Sequence, residues 1–421
     1  MSPSNPPAVL NSGEYHHQTG YSRNQMTGGN LDWANQPSPV KTYPHAEAVP
    51  LARNILFPEV SLWELGFGEE QTGHGKISPG NLSAILYLAY GVTASRKSPG
   101  GEFFYRSAPS AGALYPAEIY SDLKEMEGIP SGVYHYDSLR HSLTSIRINA
   151  PQFEERMESV LYISGIFIRS AWKYRNRAYR YILLDCGHLL ENLLLAFDAF
   201  SIICTAGLAF NDRWIENRLE LDETREGVLA FVRISKSENS AGRNPYRFEI
   251  PSSEFKKPIP LRPEITYPMV LGIHRAGYDW SPDIHPPVSM EETIGVSVSR
   301  WEKIRISDKT ADPLSFSEAV RQRRSRRNFI SRSLAHDRFL DLLEIVIRTW
   351  RRKNIDEKRW ISSICTGFIV NSVEGVSPGF YLLDPVQNAF GPVFGGSDSK
   401  KIASICLDQE WLSNASIYIL L

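Results

Sequence analysis

Cysteine is scarce. Four occur in 421 residues, Cys186, Cys204, Cys365 and Cys406, with no Cys-x-x-Cys pair among them. Such spacing suggests neither a disulfide framework nor a structural zinc site, and it suits a reducing compartment, so a cytoplasmic location is expected. Neither sign of charge predominates: 46 Lys and Arg face 47 Asp and Glu, a formal net of -1. Without a basic excess, nucleic acid and anionic membrane surfaces are not expected as partners. An uninterrupted membrane-length apolar run is also lacking. The longest candidate, residues 182–210, contains Asp185, His188, Glu191 and Asp198, each costly in lipid. It reads as a buried helix running into a strand. The first twenty residues lack the basic start and apolar core of a secretion signal.

What is present is 42% hydrophobic residues, enough for ordinary cores, over a length that predicts about two to three domains. Residues 1–45, rich in Pro, Ser, Asn, Gly and His, read as an irregular arm whose order has to come from docking. His16 and His17 belong to that arm, and no metal site is expected. Ser78 as N-cap, Pro79 in the first turn and the helical recurrence of Leu82, Ile85, Leu86, Ala89 and Tyr90 before Gly91 predict a helix. A hairpin is predicted over GVYHYDSLRHSL, residues 132–143. Helices are predicted near residues 151–160 and over residues 181–200, and a strand over residues 227–234.

Prolines crowd residues 251–313, so residues 246–314 read as a proline-rich connector between a first domain, residues 46–245, and a second, residues 315–421. Ser315 and Glu318 form a capping box at the start of the second, and a further helix is predicted over residues 337–350. There GFYLLDPVQNAF, residues 379–390, repeats the Gly, Tyr, Asp and terminal apolar positions of residues 132–143, which suggests two related domains in tandem.

Three groups can carry chemistry. Pro109, Ser110, Ala111 and Gly112 begin a run of small residues through which a ligand can approach the backbone closely, with the Ser110 hydroxyl as a hydrogen-bonding group. The alternative is a tight turn entering a short helix. Arg323, Arg324, Ser325, Arg326 and Arg327 gather four guanidinium groups around a hydroxyl, a set that matches one phosphate or else forms a solvated basic surface. Lys173 and Tyr174 are adjacent proton-active groups at the entry to the long helix. In that segment Arg177 and Arg180 can stay exposed while Tyr179 and Tyr181 pack inward. Asp185, His188 and Asn192 share a helix face but read as a satisfied buried polar stripe, since no nucleophile motif accompanies them.

Together, PSAGALYP, the GVYHYD hairpin, KYRNRAYRYILLDCGH and RQRRSRRNF resemble the SagB-type dehydrogenases, a branch of the FMN-dependent nitroreductase superfamily. The tandem layout is similar to that of the two-domain azoline oxidases of the cyanobactin thiazoline oxidase type. The resemblance covers residues 45–245 well and residues 315–421 in part. It implies an α+β, nitroreductase-like fold arranged as a tandem pseudo-dimer, with FMN bound where two like domains meet. The second copy is expected to be truncated: SNASIYILL stops at Leu421 before any counterpart of the Lys-Tyr segment, so either the sequence is a fragment or the second domain is degenerate and partners the first without a site of its own. By the same resemblance Pro109, Ser110, Ala111 and Gly112 meet the flavin, Arg323 or Arg324, Ser325, and Arg326 or Arg327 hold its phosphate tail, and Lys173 and Tyr174 move the proton. The implied activity is FMN-dependent oxidation of azoline rings in a ribosomal peptide to azoles, by a homodimer or a biosynthetic complex. An NAD(P)H-dependent nitro or quinone reductase and a flavin-less scaffold that presents a peptide are the alternatives.

Overall fold

The hydrophobic stretches between residues 117 and 234 pair into one sheet in a computed structural model of the chain. The model describes residues 11–21, 30–44, 46–65, 75–98, 101–148, 159–234, 265–278, 291, 294–306, 314–350 and 364–420. Two compact units result. Met1–Leu65, Gln71–Ser281 and Leu314–Arg323 form the first; Gly66–Glu70, Pro282–Pro313 and Arg324–Leu421 form the second.

The first unit runs α1 (Ser12–Gln18), β1 (Ala48–Pro50), α2 (Pro79–Tyr90), β2 (Val92–Ser98), β3 (Gly101–Arg106), β4 (Ala117–Leu123), β5 (Gly132–Asp137), β6 (Ser142–Ile148), β7 (Val160–Ile166), α3 (Phe167–Tyr174), α4 (Ala178–Ala199), β8 (Cys204–Gly207), α5 (Asp212–Arg218), β9 (Glu226–Ile234), α6 (Pro268–Ala276) and α7 (Phe316–Gln322). Among the described residues its main sheet has the order β1-β6-β5-β4-β7-β9-β8, every neighbouring pair antiparallel, with β2 and β3 as a separate hairpin. Every residue of β5 and nearly every residue of β4 and β7 is buried, so these strands are covered on both faces. Helix α2 packs against α4, and α4 lies on β4 and β7. The expected punctuation holds: Ser78 accepts from the Asn81 amide at 3.2 Å, Pro79 opens α2, and Gly91 closes it where Tyr87 leaves no room for a Cβ.

Three expectations change. The arm, expected to be irregular, contains α1, closed at its start by an Asn11–Glu14 capping box; its order comes from docking as expected, with Tyr15 Oη donating to the Asn176 carbonyl at 2.6 Å. Helix α6 stands inside the stretch read as connector, with Pro268 tolerated in its first turn, where no amide partner is needed. Its His274 lies 3.0 Å from Tyr179 Oη and 3.2 Å from Glu216, which ties it to the first unit. Helix α4 is not wholly buried, since Leu183 and Leu184 are exposed. The helix expected near residues 151–160 lies largely outside the described residues, and Val160 begins β7.

The second unit contains β10 (Glu302–Lys303), α8 (His336–Trp350), β11 (Thr366–Val370), β12 (Gly379–Asp384), β13 (Ala389–Gly395), α9 (Ser399–Ile405) and β14 (Ile417–Leu420). Its sheet is β10-β13-β12-β11-β14, and Phe339, Leu343 and Ile347 of α8 pack on Phe368, Tyr381 and Phe390. The internal repeat is structural. Gly128 and Gly375 take φ 73 in matching turns, and His141 and Asn388 take φ 52 and 51. Tyr134 and Tyr381 each donate to a carbonyl four residues earlier at 2.7 Å, and Asp137 and Asp384 cap the two hairpin turns in the same way. The chain is therefore an α+β protein with a repeated three-stranded meander.

Three carboxylates, Glu118, Asp137 and Glu226, are buried in the first sheet. Glu226 accepts from Ser164 Oγ at 2.6 Å, from Tyr120 Oη at 3.1 Å, and from Lys41 Nζ of the arm. Burial pulls the Lys41 ammonium down, but Glu226 beside it outweighs that and holds it above the usual lysine range. Removing one partner of such a pair leaves an uncompensated charge. Lys41→Met is expected to cost about 3–5 kcal/mol in urea unfolding, and a loss well under 1 kcal/mol contradicts the pairing.

Candidate functional site

Between β3 and β4 the chain makes a loop that begins with small residues and turns through left-handed backbone. Gly112 takes φ 62, and two non-glycine residues, Ala113 at 54 and Tyr115 at 48, are also left-handed. Each non-glycine in that region costs on the order of 1 kcal/mol, so the loop has to be held from outside. Asp185 of α4 does this. Its Oδ2 accepts from Ser110 Oγ at 2.5 Å and its Oδ1 from the Ala111 amide at 2.9 Å, while Ser110 Oγ accepts from the Tyr115 amide at 2.8 Å. The Ser110 hydroxyl, expected to face a ligand, is spent within the protein.

The far side of the loop meets the Lys-Tyr pair. A Cβ at Gly112 would stand 2.9 Å from both Lys173 Nζ and Tyr174 Oη. Those two residues end α3, where the chain turns sharply at Arg175, φ 51 and ψ -132. Tyr174 stacks on Tyr181 with ring centroids 4.0 Å apart. Arg169, one turn earlier in α3 and 3% exposed, donates to the Tyr115 carbonyl at 2.9 Å, to Glu118 at 2.5 Å and to the Ser38 carbonyl at 2.8 Å. It therefore fixes α3 to the end of the loop, the sheet and the arm together. Burial raises Glu118, but Arg169 and His135 more than compensate and hold its carboxyl well below the usual range.

The arm covers the helix entry. Arg177 and Arg180, expected to be exposed, are half-buried. Arg180 donates to Thr19 Oγ1 at 3.0 Å and to the His16 carbonyl at 2.8 Å, and Arg177 donates to the Thr19 carbonyl and lies 4.0 Å from the Tyr21 ring centroid. Trp172 Nε1 donates to the Asp32 carbonyl at 2.7 Å.

Of the residues expected at the site, the first unit thus gathers Pro109, Ser110, Ala111 and Gly112 with Lys173 and Tyr174. Arg323 ends the first unit beside this loop, donating Nε to the Ser107 carbonyl at 2.8 Å. Arg324, Ser325, Arg326 and Arg327 belong to the second unit. Ser325, Arg326 and Arg327 are exposed, and Arg326 and Arg327 form no ion pair among the described residues. Arg169, Glu118 and the arm carbonyls did not stand out in the sequence. Asp185 did, but as a satisfied polar stripe rather than the anchor of a loop. Among the described residues no cluster of three metal-ligating side chains occurs, and no helix is long and apolar enough to cross a membrane.

No family model matches the sequence. Over 153 residues the chain is 31% identical to a protein of Methanocaldococcus jannaschii named as a nitroreductase, a match covering 34% of this chain and 74% of that protein. It is 30% identical over 155 residues to the trifolitoxin-processing protein TfxB of Rhizobium leguminosarum bv. trifolii, covering 33% of this chain and 42% of that protein. With the microcin B17-processing protein McbC of Escherichia coli it shares 28% identity over 170 residues, 35% of this chain and 58% of that protein. The chain therefore spans only about half the length of the trifolitoxin-processing and microcin B17-processing relatives. A crystal structure of a nitroreductase from Anabaena variabilis matches with a TM-score of 0.71 at 24% identity, covering 96% of this chain and 83% of that one, which shows the fold. The chain belongs to the nitroreductase family.

Burial raises the Asp185 carboxyl to about 6, against the pull of the bonds from Ser110 and Ala111. Its folded value lies above the unfolded one, so the stabilising protonated form is complete below about pH 4 and is lost as the pH rises through 6. Relative to Asp185→Asn, the wild type is expected to lose roughly 2–3 kcal/mol of stability between pH 4 and pH 7. Urea titrations at several pH values check this, and a difference that stays constant across the range contradicts it.

Proposed function

We propose that the chain is a flavin-dependent oxidoreductase of the SagB type that acts on a peptide, oxidising an azoline ring to an azole. The observation that carries this reading is the convergence of Gly112 with Lys173 Nζ and Tyr174 Oη. The relatives' names, which speak of toxin processing, support a peptide as substrate and a biosynthetic complex as the setting.

The residues fit FMN. The loop of Pro109, Ala111 and Gly112 presents backbone and small side chains, as close approach of a flat ring requires, and the exposed guanidinium groups of Arg326 and Arg327 have the donor chemistry for its phosphate. Pro109, Ser110, Ala111 and Gly112 would hold the ring end, with Arg323 of the same unit beside them; Arg324, Ser325, Arg326 and Arg327 carry donor groups of the kind a phosphate takes. When bound, FMN supplies the hydride acceptor. The protein's share is proton transfer and position. Tyr174 takes the proton from the substrate carbon, and Lys173 stands beside it, with Nζ 5.4 Å from the Tyr174 ring centroid. Tyr181 keeps the Tyr174 ring from swinging away by stacking on it.

Lys173→Ala and Tyr174→Phe are expected to retain FMN, measured by its visible absorption band, while lowering substrate oxidation by about 10²-fold or more. Unchanged oxidation with FMN bound removes both from the chemistry. Rapid bleaching of the holoprotein by NADPH under nitrogen favours the nitro or quinone reductase. A wild type that stays colourless with added FMN favours the flavin-less scaffold.

A further inference from the structure

The Asp185 carboxylate sits where no simple stability argument would put it. It is 5% exposed, and no Lys, Arg or His forms an ion pair with it among the described residues. The groups facing it are Tyr90 from α2, Ser110 and Ala111 from the loop, and Cys186 beside it on α4. A buried carboxyl with no cation is costly. What it gains is two bonds to consecutive loop residues, and one of those residues, Ser110, passes the hold on to Tyr115. The three left-handed residues Gly112, Ala113 and Tyr115 lie within this clamp or at its end, and Gly112 is the residue that meets Lys173 and Tyr174.

We propose that Asp185 is a positioning residue: through Ser110 and Ala111 it holds the small-residue loop in the strained shape that presents Gly112 to Lys173 and Tyr174. The proposal rests on the flavin reading for its consequence and on geometry alone for its contact. An ionised carboxylate accepts from both Ser110 and Ala111. An amide in its place still accepts from the Ala111 amide but can only donate to Ser110 Oγ, a neutral bond to a hydroxyl that already accepts from the Tyr115 amide, so Asp185→Asn replaces a charge-assisted bond by a weaker reversed one and loosens the clamp without removing volume.

Three readouts on the full chain decide it. First, amide hydrogen exchange at Ala111 and Tyr115 is expected to accelerate tenfold or more in Asp185→Asn and in Ser110→Ala, and the double variant is no worse than the more affected single one, because both act through one contact. Second, the FMN dissociation constant rises about tenfold in Asp185→Asn, while the thermal midpoint at pH 7 is unchanged or higher. A merely structural residue would lose midpoint and affinity together. Third, wild-type FMN affinity weakens as the pH falls below about 6, where Asp185 takes up its proton, whereas the Asp185→Asn profile is flat there. Unchanged exchange at Ala111 and Tyr115 overturns the proposal, as does a loss of affinity that only follows a loss of midpoint. A wild type that binds no FMN sinks the flavin reading, and the exchange measurement then decides the role of Asp185 by itself.

Discussion

Arg169 is the side chain on which the first unit's architecture converges. A guanidinium so deeply buried has to spend its donors on acceptors fixed by the fold, and it spends them on three different parts of the chain: the arm through the Ser38 carbonyl, the loop through the Tyr115 carbonyl and the sheet through Glu118. Its forked geometry makes these bonds directional, so the axis of α3 is set relative to β4 to within hydrogen-bond tolerance. Lys173 and Tyr174 follow one turn later and inherit that orientation. A lysine here would supply one point charge and could not make the three bonds together.

The near-neutral composition conceals this. Buried pairs, Lys41 with Glu226 and Arg169 with Glu118, tie elements together, while Arg326 and Arg327 are exposed and form no ion pair among the described residues. This division separates strength from function. The paired charges fix the frame, while Asp185, buried without a cation, stands at the loop that the frame holds against Lys173 and Tyr174.

Much of the frame could be read from the sequence because its causes are local. Ser78 with Pro79 and Ser315 with Glu318 satisfy helix-end amides within a few residues, and the hairpin at residues 132–143 follows from alternation around a turn that Asp137 caps. The small-residue loop and the Lys-Tyr pair were legible as separate segments. Their meeting was not, since it depends on contacts across many tens of residues. The arm's order comes from docking, as its composition implies, but the docking partners are not legible: Thr19 is held by Arg177 and Arg180, which no local pattern announces. Helix α6 was hidden by its prolines, whose density suggested a connector, although Pro268 in a first turn is compatible with helix. The role of Asp185 was missed because polar spacing on a helix does not reveal which loop crosses that face.

The buried position of Lys41 also has a consequence for the order of assembly. Its partner Glu226 lies 185 residues further along the chain, and the Arg169 bond to Ser38 spans 131. On the ribosome the arm therefore emerges long before β9 exists, and its lysine stays solvated until the last strands are made. The sheet cannot close over Glu226 without cost until that lysine arrives, so docking of the arm belongs to the late, slow stage of folding set by contacts of high sequence separation. The arm is thus fitted late, and the buried Lys41–Glu226 pair stays unmade until β9 has been synthesised.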